Sequence, residues 1–289
     1  MNPAIVYDGS IRDSGTPLYF RLALAQILGR DPDWFTEDPS AGAIEAKNDF
    51  YIHIDDGRDD LPADGIPHPW GYYATDSHLG PEIRILKAKQ ADLVWCAQLP
   101  FVKVLKEHGV DAKWVPLACM PEVHFTAQED PESRWPLPDK DLVFVGHIQD
   151  PSQTDRLAFL DHLFREFPDS WYAYGHFHEE MSRVYHRGRI GVNHAVRDDL
   201  NMRFFEIASM GVPQYADEGM VGLKELGFEP WVDYIPQDKD HDNLRMMLDS
   251  PERRTAIAGC ALAKVRAAHT YRHRLGTMLA DVEQFLSTR

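Results

Sequence analysis

The stretch DDLNMRFFEIASMGVPQYADE, Asp198 to Glu218, reads as a helix followed by a short strand. Asp198 or Asp199 is the expected N-cap. Gly211 suits a left-handed C-cap, and Pro213 stops the helix from continuing. Between them Leu200, Met202, Phe204, Phe205, Ile207, Ala208 and Met210 are apolar almost all round, the mark of a buried helix. Yet Asp199, Arg203 and Glu206 fall on one stripe, because residues three and four apart share a face. A buried helix with a single charged stripe aims it at a cleft or a ligand. The alternative is an Arg203–Glu206 ion pair on a partly exposed face.

Outward from this stretch, strands and helices alternate. In the second half the expected strands are Leu142–Gly146, Trp171–Gly175, Ile190–Asn193 and Val212–Ala216. Leu157–Phe167 and Val221–Leu226 read as helices, and Pro251–Ala268 and Tyr271–Leu286 as long ones. In the first half the expected strands are Ala4–Asp8, Phe50–Ile54, Gly71–Thr75, Leu93–Ala97 and Lys113–Leu117, with helices at Leu18–Leu28, Pro81–Gln90 and Phe101–His108. Such alternation predicts parallel sheets with right-handed crossovers. MPEVHFTAQEDPESRWPLPDK is rich in Pro and acidic residues and reads as an interdomain connection. The expected division is 1–125, a linker at 126–140, a second domain at 141–270, and a last helix at 271–289 that returns to the first.

Composition bounds the function. The 289 residues carry 46 acidic against 30 basic side chains, a net charge of −16. That argues against a long nucleic-acid backbone or an anionic membrane as partner, while leaving room for a local basic pocket. Cys96, Cys119 and Cys260 are far apart and odd in number, which points to a reducing compartment without a disulfide framework. With no signal peptide and no apolar run of membrane-spanning length, the expectation is a soluble cytoplasmic protein.

RFFEIASMGVPQ resembles the nucleotide-sugar-binding helix of GT-B glycosyltransferases, which have two facing Rossmann-like domains with a cleft between them. Glu206, Gly211 and Pro213, with Ala208 between them, resemble the form E-A-x-A-x-G-x-P. Arg203, Phe205 and Glu206, followed late in the chain by His269, Thr270, Tyr271 and Arg274, resemble the CgeB-like (spore-maturation-type) group. The resemblance is best over 140–280, and weaker over Gly71–Pro116. It implies transfer of a sugar from a UDP- or GDP-linked donor to an acceptor, with retention and without metal or other cofactor. Glu206 would accept hydrogen bonds from the ribose. Arg203, Gly146, His147 and Arg156 would approach the diphosphate, and Asp217, Glu218 and Gly219 the donor sugar. Gly15, in the turn before the first helix, and Gly175, His176 and Asn193, at strand ends, complete the expected donor side. Asp76 and His78, at the end of the Gly71–Thr75 strand, are the expected catalytic pair.

Two other classes compete. Asp76-x-His78, Gly146-His147, Gly175-His176-x-His178 and Asn193-His194 echo the ligands of binuclear metallophosphoesterases. The order is wrong for that reading, however, and no G-D-x-x-D follows the first element. A non-catalytic nucleotide-sugar-binding module is the other, separable from an enzyme by turnover.

Overall fold

The computed structural model describes residues 1–7, 15–35, 44–55, 65–77, 80–130, 132, 138–146 and 154–289. The chain forms two compact α/β units, Met1–Pro116 with Tyr271–Arg289, and Leu117–Thr270.

The first unit holds a parallel sheet of β1 (Pro3–Val6), β2 (Asp33–Phe35), β3 (Phe50–Ile54), β4 (Trp70–Ala74), β5 (Leu93–Cys96) and β6 (Ala112–Trp114), in the order β2-β1-β3-β4-β5-β6. Helices α1 (Thr16–Leu28), α2 (Pro81–Ala88) and α3 (Leu99–Glu107) connect the strands, and α9 (Tyr271–Ser287) packs on α1. The central strands are buried along their whole length, as parallel strands covered on both faces must be. Tyr19 and Phe20 of α1 meet the Tyr271 ring at 5.5 and 5.2 Å, which seats α9 in this unit.

The second unit holds β7 (Lys140–Val145), β8 (Trp171–Ala173), β9 (Gly188–Asn193), β10 (Gln214–Ala216) and β11 (Ile235–Pro236), all parallel, in the order β11-β10-β9-β7-β8. Its helices are α4 (Thr154–Glu166), α5 (His178–His186), α6 (Met202–Ser209), α7 (Asp242–Leu248) and α8 (Pro251–Ala268). Side chains of β7 alternate with period two. Leu142 and Phe144 join one core with α4 and α7, whereas Val143 and Val145 join another with α5 and α6. Helices therefore cover both faces, the doubly wound arrangement whose ligand sites lie beyond the carboxyl ends of the strands.

Four expectations need correction. The units part after Pro116, not at 126–140: Ala118, Cys119, Met120, Val123 and Phe125 are buried, and Cys119 bridges Thr270 in parallel fashion, so the segment belongs to the second unit. Asp198 and Asp199 do not cap α6. Arg197 and Asp198 are left-handed (φ 54° and 58°), and Asn201 caps instead, its Oδ1 accepting from Phe204 N at 3.1 Å. Asp199 thereby leaves the charged stripe. The expected helix Val221–Leu226 is not formed: Val221 bridges Asp199, and a run of turns follows from Gly222, at φ 114°. Short strands β2 and β11 and helix α7 had no apolar run long enough to announce them. Gly211 does adopt the left-handed conformation expected after a helix, with φ 68°.

Candidate functional site

At the carboxyl end of β7, Gly146 gives way to residues 147–153, which include His147 and lie outside the described residues. A Cβ on Gly146 would stand 2.6 Å from the Arg203 guanidinium and 3.1 Å from the Phe144 ring. Glycine is what lets Arg203, in the first turn of α6, close over the strand end. The Arg203 guanidinium carbon sits 4.8 Å from the Phe144 ring centre, and Arg156 of α4 approaches the same ring at 5.8 Å. Two cations beside one aromatic ring gain from its quadrupole but repel each other. Among the described residues no carboxylate comes within ion-pair distance of Arg203, and its Nε is buried without a hydrogen-bond partner. Tyr185 of α5 lies alongside. Burial pushes its phenol up to about 12, an effect that neighbouring Arg203 opposes. Arg156 is 8% exposed, so this charge is held largely out of water.

One turn along α6, Glu206 is 5% exposed. Its partner is His124, whose Nε2 stands 3.2 Å from Glu206 Oε1. The alternative Arg203–Glu206 ion pair is not formed. The His124 tautomer follows from its other nitrogen: Nδ1 accepts from the Met120 backbone N–H at 3.0 Å, so the ring proton sits on Nε2, facing the carboxylate. The helix bearing both charges is tied at several points. Ser209 Oγ donates to His124 O at 2.7 Å, and Gln214 Nε2 donates to Phe204 O at 3.0 Å. His124 lies in the Pro-rich segment, where a lone histidine carries no periodic signal, and was missed for that reason. Tyr185 and Phe144 were missed as ordinary core aromatics.

The remaining expected residues scatter. Asn193 is buried and exchanges amide hydrogen bonds with Asn201 at 3.1 and 2.9 Å, so its side chain positions the α6 cap. Asp217 accepts from Gly219 N at 2.8 Å in a tight turn after β10, with Glu218 exposed beside it. Gly175 is exposed at φ 78°, and His176 Nδ1 pairs with Glu180 at 2.9 Å. His194 stacks on Phe159 at 4.1 Å and bonds Gln237. Among the described residues the histidines of the metallophosphoesterase reading share no cluster of three ligand groups. In the first unit, Gly15 precedes α1 at φ 97°, and Asp76 is exposed at φ 42° beyond β4. His78 lies outside the described residues. Of the late motif, His269 packs on Phe205 and Phe228, while Arg274 Nε donates to Pro116 O at 2.9 Å; both act structurally where the chain changes unit.

Two parallel-sheet α/β units of this construction are the fold of GT-B glycosyltransferases. Sucrose-phosphate synthase from Thermosynechococcus elongatus superposes over 100% of both chains with a TM-score of 0.65 at 12% identity. Anabaena HepE, solved in complex with UDP and glucose, does so over 98% of this chain and 100% of its own, with a TM-score of 0.63 at 11% identity. A pneumococcal O-GlcNAc transferase, solved with UDP and GlcNAc, matches 82% of this chain and 57% of its own, with a TM-score of 0.52 at 13% identity. Residues 159–280, which contain α6, match a family model described as Glycosyl transferase-like. No curated protein matches the sequence. Among the described residues no helix is long and apolar enough to cross a membrane.

Proposed function

We propose that the protein transfers a sugar from a nucleoside-diphosphate sugar to an acceptor, with the nucleotide end of the donor held by the second unit. The grouping at the end of β7 carries this reading. Arg203 has no carboxylate partner among the described residues, closes over a glycine, and shares the Phe144 ring with Arg156. A diphosphate brings the missing negative charge, and guanidinium groups bind phosphate oxygens bidentately. Glu206, one turn on, would accept hydrogen bonds from the ribose hydroxyls while His124 holds its other side. Guanidinium charge and backbone amides would stabilise the leaving diphosphate, so the reaction needs no metal. Retention at the anomeric carbon, kinship with the CgeB-like group, and action of Asp76 and His78 on the acceptor or the reacting sugar complete the proposal.

Calorimetric titration of UDP and GDP tests it. One of the two should bind wild type, and Arg203→Ala should weaken it at least tenfold, the loss of a charge-assisted contact of about 1.5–3 kcal/mol. His78→Ala should leave that affinity unchanged while turnover of the matching nucleotide sugar falls by roughly 10²-fold or more. Absence of binding by either nucleotide, or equal affinity in Arg203→Ala, would overturn the reading.

A further inference from the structure

Elsewhere in the second unit, His162 and Glu166 of α4 meet His241, the residue before α7. One nitrogen of each ring and one Glu166 oxygen all lie within 4.8 Å of one another. Four residues apart, His162 and Glu166 stack on one helix face, with His162 Nε2 3.8 Å from Glu166 Oε2. His241 arrives from the far side of the chain in a left-handed conformation, φ 56°, and is only 2% exposed.

The hydrogen bonds of His241 decide what it offers. Its Nδ1 is 2.9 Å from the Tyr215 hydroxyl. That hydroxyl accepts from the Asp238 backbone N–H at 3.0 Å and lies 3.0 Å from Asp238 Oδ1. A carboxylate only accepts, so the single phenol proton goes to Asp238, and the Nδ1 proton of His241 goes to the phenol oxygen. The lone pair is left on Nε2, which is buried and has no hydrogen-bond partner. A ring nitrogen kept from water without a partner is unfavourable unless something else uses the lone pair.

We propose that His162, Glu166 and His241 Nε2 form a divalent-metal site, which takes Zn²⁺ with water in the fourth position. Two imidazoles and a carboxylate are a zinc donor set, and ligand atoms about 2.0–2.2 Å from a tetrahedral ion stand roughly 3.4 Å apart, close to the 3.8 Å already present. The Nδ1–H to Tyr215 contact is the outer hydrogen bond that fixes a ligating histidine. Arg245 holds the other oxygen of Glu166 and orients the carboxylate. The ion would clip α4 to the loop before α7. The site is independent of the nucleotide-sugar reading.

The test is zinc titration of the full chain after dialysis against a chelator, followed by calorimetry, metal analysis and thermal melting. One equivalent should bind wild type and raise its Tm. His162→Ala alters an exposed side chain, so the fold should survive; zinc affinity should fall at least tenfold and the Tm gain should vanish. Glu166→Gln should behave the same way, whereas His108→Ala, at another exposed histidine, should bind as wild type. Co²⁺ in place of zinc should give the intense visible bands of a tetrahedral site. No stoichiometric binding by wild type, or undiminished binding by His162→Ala, would overturn the proposal and leave only an adventitious ion on a histidine-bearing surface.

Discussion

Glu206 owes its partner to a residue far away in the chain. His124 presents Nε2–H because the Met120 N–H occupies Nδ1, so any acceptor at position 206 satisfies it. Glutamine is such an acceptor, and Glu206→Gln should leave the melting temperature of the free protein nearly unchanged. Alanine is not, and would strand a buried donor at a cost of about 1–3 kcal/mol. Both variants should lose donor affinity, the glutamine by roughly tenfold or more, because ribose hydroxyls would meet a neutral oxygen. Thermal melts beside nucleotide titrations separate the two effects. Full affinity in Glu206→Gln would return the residue to a purely structural role. Its apolar neighbours announced burial and its spacing from Arg203 announced a shared face. Nothing local could announce His124, since that contact spans the unit.

At the scale of elements, α6 and β7 make the site together. Asn201 starts the helix, held by Asn193 from the end of β9, and Gly211 ends it. The helix was legible as a buried segment with a charged stripe, but its first turn was not. Two left-handed residues before the cap store strain that a propensity reading cannot see. Gly146 joins the elements. In Gly146→Ala the new methyl meets the mobile end of Arg203 first and the Phe144 ring next. The guanidinium should swing away while the strand stays paired. Diphosphate affinity should then drop by about tenfold with little change in melting temperature. A variant that binds as tightly as wild type would mean that Arg203 is not held where the diphosphate needs it.

For the whole molecule, stability against acid follows from groups buried in one protonation state. His53, in β3 between the rings of Trp70 and Tyr72, has both nitrogens buried without partners, and burial lowers its pKa to about 3. His186 is shifted the same way by burial. A depressed folded pKa means that the unfolded chain binds the proton first. This stability is complete above about pH 6.5 and drains away as the pH falls through 6.5 toward 3. Glu129, held down to about 2 chiefly by the Arg266 hydrogen bond, adds to the loss below its ordinary value of 4.5. His53→Phe removes the first contribution. Relative to wild type it should gain about 2 kcal/mol between pH 7 and pH 5, read from urea unfolding at both values. Parallel pH dependences in the two proteins would mean that His53 is not held neutral.

Alternation of strand and helix, the buried helix with Arg203 and Glu206, and the acidic balance of the chain were all determined by sequence. Each rests on local periodicity or on counting, which need no knowledge of distant neighbours. Tertiary structure alone decided that Leu117–Phe125 belongs with the second unit, that Asn193 positions a cap, and that Glu206 faces His124 while Arg203 keeps no carboxylate partner among the described residues. Tertiary structure likewise brought His241 to His162 and Glu166, and set Phe144 under two guanidinium groups. The physical reason is the same in every case. A buried polar group takes whatever partner the packed sheets deliver, and that partner comes from another strand end or helix, outside the reach of any local pattern.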